Sequence, residues 1–247
     1  MDDFYLFANC NFVPDKYQDW QAAYDDLAKY VWTSEPTTKT YYFGIPLDYA
    51  HDFSKTTSMF AFEVYGSRDD LYGPKGHLSS PAMSQFLTLI PQASTTGLDL
   101  SHYRLVAGFL DLPTKSAAIP TPASIILDIR VTSTTASARP DILTSLTSLT
   151  NTIEQEERSS TTASGTATYM AFASLDDETG VRIFGRWKTR DDMERFLRRE
   201  DVLEFWMENK VNVKAMEQRA YLPNGKGWLH RGKGSGYAGE QVSSAKM

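Results

Sequence analysis

Three residues of this chain could together move a proton in a half-buried site: Asn9, Glu63 and His77. A carboxylate in an apolar layer has its pKa raised, which suits it to proton transfer near neutral pH. An imidazole titrates in the same range. An amide in such a layer needs hydrogen-bond partners or a ligand. Together these groups could take a proton from an acidic phenol or carbon and hold the oxyanion that forms. Tyr5, Phe7, Tyr24, Trp32, Tyr65 and Tyr72 would suit a flat aromatic ligand beside them. Plainer roles stay open. Asn9 could bond a strand edge or a buried water, and Glu63 could pair with Arg68 or Arg104. His77 could cap a helix in solvent, and the aromatic stripe from Trp20 to Trp32 could be core packing.

The elements that must position these residues come from a duplication. Ser67-Arg68-Asp69-Asp70-Leu71 recurs as Thr189-Arg190-Asp191-Asp192-Met193. Trp20, Tyr24, Leu27 and Val31 recur at the same offset as Ile142, Leu146, Leu149 and Ile153, each quartet an apolar stripe on a helix. Each copy reads β-α-β-β-α-β, the ferredoxin-like order. The first copy has strands at 4–12, 39–45, 58–65 and 102–110, with helices at 15–31 and around 81–89. The second has strands at 124–131, 167–173, 181–187 and about 214–222, with helices at 140–158 and 191–209. This gives a first repeat at 1–112 holding the site, a proline-bearing linker at 113–123, a mainly structural second repeat at 124–231 and a disordered Gly/Ser tail at 232–247. The expected fold class is α+β: two tandem ferredoxin-like repeats, packed sheet to sheet as a single-chain version of a dimeric α/β barrel.

The repeats also act as controls for each other. In the second, Ile125, Leu127, Ile129 and Val131 make one strand face, and Val181, Ile183, Gly185 and Trp187 another. At the same offset Tyr5, Phe7 and Asn9, and Met59, Ala61, Glu63 and Tyr65, face the helices in the first repeat. Asn9 then stands where Val131 does and Glu63 where Gly185 does. The expectation is a polar pocket in the first repeat and aliphatic filling in the second, with His77 and Tyr72 reaching in from a longer, Gly/Pro-bearing loop. On the opposite parity, Asn9 and Glu63 would face inward with Asp128, Arg130, Arg182 and Arg186 in a charge network.

Composition narrows the partners. A net charge of −6 without a dense basic cluster speaks against nucleic acid. The start lacks a signal peptide's pattern, no apolar run could span a bilayer, and a single cysteine excludes an internal disulfide framework, so a soluble cytoplasmic protein without membrane association is expected. There is no dinucleotide fingerprint, no paired-cysteine metal motif and no nucleophile elbow, so no cofactor or metal is expected. The sequence leaves open whether full-length chains form a homodimer.

The strand, aromatic helix and strand pair, followed by Arg68-Asp69-Asp70-Leu71 and then His77-Leu78-Ser79-Ser80-Pro81, resemble the antibiotic-biosynthesis monooxygenase superfamily. The resemblance covers nearly the whole chain, once per repeat, and tandem forms are similar to proteins of fungal secondary metabolism. It implies a cofactor-independent monooxygenase acting on a small aromatic polyketide with dioxygen. Glu63 or His77 would be the base, and Asn9, Tyr72 and Trp32 would hold the oxyanion. The same equipment would serve a cyclase, isomerase or decarboxylase. The superfamily also implies two further alternatives: haem ligated by His77, or a non-catalytic protein that binds a metabolite or stabilises a partner.

Overall fold

The computed structural model describes residues 3–111, 125–159 and 165–231. The expected linker and tail lie outside these residues. Eight strands and seven helices follow in chain order: β1 (Phe4–Phe12), α1 (Tyr17–Ser34), β2 (Thr38–Pro46), β3 (Ser58–Tyr65), α2 (Arg68–Tyr72), α3 (Pro81–Leu87), α4 (Ile90–Ala93), β4 (Ser94–Leu110), β5 (Ile125–Ser133), α5 (Arg139–Ser159), β6 (Thr166–Ser174), β7 (Gly180–Trp187), α6 (Arg190–Leu197), α7 (Glu200–Asn209) and β8 (Val213–Trp228). This is the expected α+β tandem of ferredoxin-like units.

The duplicated motif has a local physical role in both copies. Ser67 and Thr189 accept hydrogen bonds from the backbone N–H groups of Asp70 and Asp192, capping α2 and α6. Their hydroxyls donate to the same two carboxylates. Each cap stabilises its helix by about 1 kcal/mol. In α1 the repeated stripe of Trp20, Tyr24, Leu27 and Val31 is buried, and in α5 so is that of Ile142, Leu146, Leu149 and Ile153.

The chain divides into two compact units that do not follow the expected boundaries. One comprises the described residues up to His102 together with 222–231, and the other those from Tyr103 to Tyr221. In the first unit the strand order is β1-β3-β2, with β2 followed by β8. In the second it is β5-β7-β6, flanked by β8 and β4. Both closing strands are longer than the sequence suggests, because β4 and β8 each begin in one unit and end in the other. The segment 222–231, expected to end the second repeat, therefore completes the first unit. There Thr40 donates to the Leu229 carbonyl, and a Cβ at Gly227, whose φ is +71°, would collide with the carbonyl of Tyr41.

The first unit's core lies between its sheet and α1 and α3, around Phe12, Trp20, Tyr24, Phe43, Met59 and Phe86. The second unit buries the indole of Trp187 against Phe196. On the other face of its sheet, Arg182 is paired in a bidentate manner with Asp128, and Arg186 donates to Thr168.

Candidate functional site

The site is built on β3, whose alternation is the one expected. Met59, Ala61 and Glu63 face the helices, and Tyr65 follows with its hydroxyl donating to Glu63 Oε2 at 2.7 Å. On β1 the expectation fails. Leu6 stands directly opposite Glu63, and Leu127 opposite Gly185, so the structural partner of Leu127 is Leu6 rather than Tyr5. The connection into α1 is one residue shorter than that into α5, and a one-residue slip turns every side chain of a strand to the other face. Leu6, Ala8, Cys10 and Phe12 therefore face the helices. Tyr5, Phe7 and Asn9 face away: Tyr5 stacks on Phe62, Phe7 packs on Phe60 and Phe62, and Asn9 pairs in register with Phe60. Asn9 Nδ2 is buried there with no hydrogen-bond partner among the described residues. None of these three residues is brought to Glu63.

His77 does reach inward. It opens a single 3-10 turn, held between Gly76 and Ser80, and is 2% exposed. Its Nδ1 donates to both carboxylate oxygens of Glu35 at 3.1 and 3.0 Å. With Nδ1 turned to Glu35, Nε2 faces the Tyr41 hydroxyl at 3.4 Å. Glu35 follows the last turn of α1 and was not anticipated from the sequence. One signal was available, because Glu157 occupies the matching place after the stripe of α5.

Glu63, His77, Tyr41 and Tyr24 supply the polar lining of one cavity, and Leu6, Ala8, Leu27, Ala61, Met83 and Phe86 are among its apolar walls. Its water-accessible space is about 20 Å³, room for one water. Burial pushes Glu63 above the usual carboxylate range, against the opposing pull of His77 and of the Tyr65 hydrogen bond. Burial likewise holds the Tyr24 and Tyr65 phenols well above their ordinary value, with Glu63 adding to both, so they remain donors. Burial pushes the Cys10 thiol up to about 11, which leaves it an inert core residue.

Two other predicted contributors lie apart. The Tyr72 hydroxyl bonds His102 Nε2 at 2.6 Å, and its ring packs under Arg68. Trp32 packs edge-on against Trp228 and under Arg231. Neither lines the cavity. The residues present do not fit a haem at His77, because both ring nitrogens are engaged within the protein and the cavity has no room for a porphyrin.

The second unit has no such arrangement at the matching place. Gly185 replaces Glu63, and a Cβ there would run into the Trp187 ring, which folds over the glycine. The filling expected from the sequence was aliphatic; it is an indole, backed by Phe196 and, beyond it, Tyr169. Tyr65 and Trp187 are equivalent strand positions, so the indole lies over Gly185 where Tyr65 bonds Glu63.

No helix among the described residues is long and apolar enough to cross a membrane. No family model matches the chain, and no curated protein matches it. Solved structures do. A putative monooxygenase from Fusobacterium nucleatum subsp. nucleatum is 12% identical with a TM-score of 0.70, over 94% of this chain and 95% of that one. A putative monooxygenase from Lactobacillus acidophilus NCFM is 9% identical with a TM-score of 0.67, over 90% and 94%. An anthrone oxidase-like protein is 10% identical with a TM-score of 0.60, over 90% and 92%. A major regulator of staphylococcal pathogenesis also aligns, at 11% identity and a TM-score of 0.51 over 89% and 98%, so one fold serves different tasks. The chain shares the fold of the two putative monooxygenases and the anthrone oxidase-like protein over nine-tenths or more of its length.

Proposed function

We propose that this chain is a cofactor-independent oxygenase whose substrate is an acidic phenol or anthrone-type aromatic. The observation that carries this reading is a buried His77, held by Glu35, that lines one cavity together with Glu63. A carboxylate on Nδ1 orients the imidazole and stabilises the cation formed when Nε2 accepts a proton. His77 is thus the base. Glu63, held toward its neutral form by burial, is a proton donor to the oxygen on which charge develops, supported by Tyr65. Tyr41 and Tyr24 complete the donors around the cavity.

The reaction balances without an outside reductant. His77 removes a proton from the benzylic CH₂ of an anthrone, and the carbanion adds dioxygen to give a peroxide. Loss of water from the peroxide leaves a carbonyl. The carbon gives up four electrons, and dioxygen takes up the same four. A low-dielectric, water-poor cavity favours the step in which charge is spread over the substrate.

The test is incubation of the protein with a panel of anthrones and naphthols, in air and under argon, with product analysis and oxygen uptake. Oxygen-dependent ketone or quinone formation is expected, slowed about 10²–10⁴-fold in His77→Ala, as for a lost general base. Products formed equally under argon would redirect the reading to a cyclase, isomerase or decarboxylase. A panel left unchanged in air would sink the oxygenase reading.

A further inference from the structure

The polar cavity is too small for the substrates its chemistry suits. Beside it, α1 and α3 border a groove of about 450 Å³ lined by Ala23, Tyr30, Ala82 and Leu89, with Asp26 and Gln85 among its polar groups. That volume is in the range of small-molecule sites, about 300–1,000 Å³. Leu27 and Phe86 line both spaces, so side chains shared by both separate them. Phe86 is the larger of the two. It meets Trp20 edge-on at 5.4 Å and Tyr24 at 5.0 Å, near the end of a seven-residue helix whose next side chain, Leu87, is 41% exposed.

Resting on the acid–base reading above, we propose that this groove is the outer chamber of the same site and that Phe86 is its movable wall. The ligand is a molecule of two or three fused aromatic rings. Its acidic hydroxyl or carbon meets His77 and Glu63, and its remaining ring lies between α1 and α3 with Phe86 turned aside. An aromatic ring entering Phe86's place takes over the edge-on and tilted contacts with Trp20 and Tyr24, which a saturated body cannot reproduce. Gln85 and Asp26 offer hydrogen bonds to a polar substituent at the far end.

Binding is measured under argon, where no oxygenation occurs, by quenching of tryptophan fluorescence with phenol, 1-naphthol and 1,8-dihydroxyanthrone. The full chain is compared with Phe86→Ala, Phe86→Leu and Ala82→Trp, each checked for an intact thermal transition. In the wild type, affinity rises with ring number. Phe86→Ala and the milder Phe86→Leu bind the anthrone more tightly, by up to about tenfold, because no wall has to be displaced. Ala82→Trp fills the groove and weakens the anthrone by about tenfold or more while leaving phenol unchanged. Anthrone affinity indifferent to Ala82→Trp, or no greater than that of phenol in the wild type, overturns the outer chamber. Weaker anthrone binding in both Phe86 variants overturns the movable wall. If the anthrone binds as described but is not turned over in air, the chamber stands and the catalytic reading falls. Turnover that depends on His77 but ignores Ala82→Trp gives the reverse.

Discussion

Glu63 and His77 were legible in the sequence because each breaks a pattern its repeat mate keeps, with Gly185 and an arginine-rich stretch at the matching places. Glu35 was not, since a glutamate after a helix is ordinary and its partner lies 42 residues on. Burial raises Glu63 above its ordinary 4.5, and the sign of the consequence is fixed. Its contribution to stability is full below that ordinary value and is lost as pH rises through the folded-state pKa. Glu63→Gln keeps an acceptor for Tyr65 and removes that loss. Its thermal midpoint should match the wild type near about pH 4 and exceed it near about pH 8; a variant no more stable at the higher pH would contradict the buried assignment. At the matching position, Gly185→Ala drives a methyl group into the Trp187 ring. It should cost about 1–3 kcal/mol in denaturant unfolding without touching the first unit's cavity.

At the scale of elements, the apolar stripes and the two Ser/Thr-Arg-Asp-Asp caps are local signals and could be read directly. The end of α1 could not. No glycine closes this helix; instead Arg231 donates from Nη1 to the Trp32 carbonyl at 2.6 Å and from Nη2 to the Val31 carbonyl at 2.9 Å, and from Nε to Thr38. Its guanidinium lies between Trp32 and Trp228, 4.6 and 4.8 Å from the ring centroids. The fork supplies a donor to the Trp32 carbonyl in the last turn and a second one to the Val31 carbonyl, which already accepts from the Glu35 N–H. Glu35, which holds His77, follows directly on this turn. Arg231→Ala should therefore lower stability by about 2 kcal/mol. Arg231→Lys should recover less than half of that, because an ammonium cannot hold three carbonyls in one plane. A lysine variant as stable as the wild type would show that charge alone matters there.

For the whole molecule, the compact units are not the two halves of the sequence. The first unit needs Trp228, Leu229 and Arg231, and the strands β4 and β8 each serve both units. A fragment of residues 1–112 lacks the strand that follows β2 and the cap of α1. It should aggregate or fold poorly, with weak near-ultraviolet dichroism. A soluble monomeric fragment with native-like aromatic dichroism would refute the dependence on the C-terminal segment. Supplying residues 213–231 in trans should restore part of the signal.

Periodicity, capping residues and internal repetition were enough to determine two ferredoxin-like units and the β3 face that carries Glu63, because those signals act over a turn of helix or one strand. Tertiary structure alone decided three things: the face of β1, the partners of His77 and the exchange of closing strands. A single residue gained between the first strand and helix of the second repeat reversed the parity that placed Asn9 and Tyr5, and nothing local marks such a slip. Glu35 reaches His77, and Arg231 reaches the end of α1, only because β2, β3 and β8 lie side by side, and the partners of distant segments are set by the packing of the folded chain.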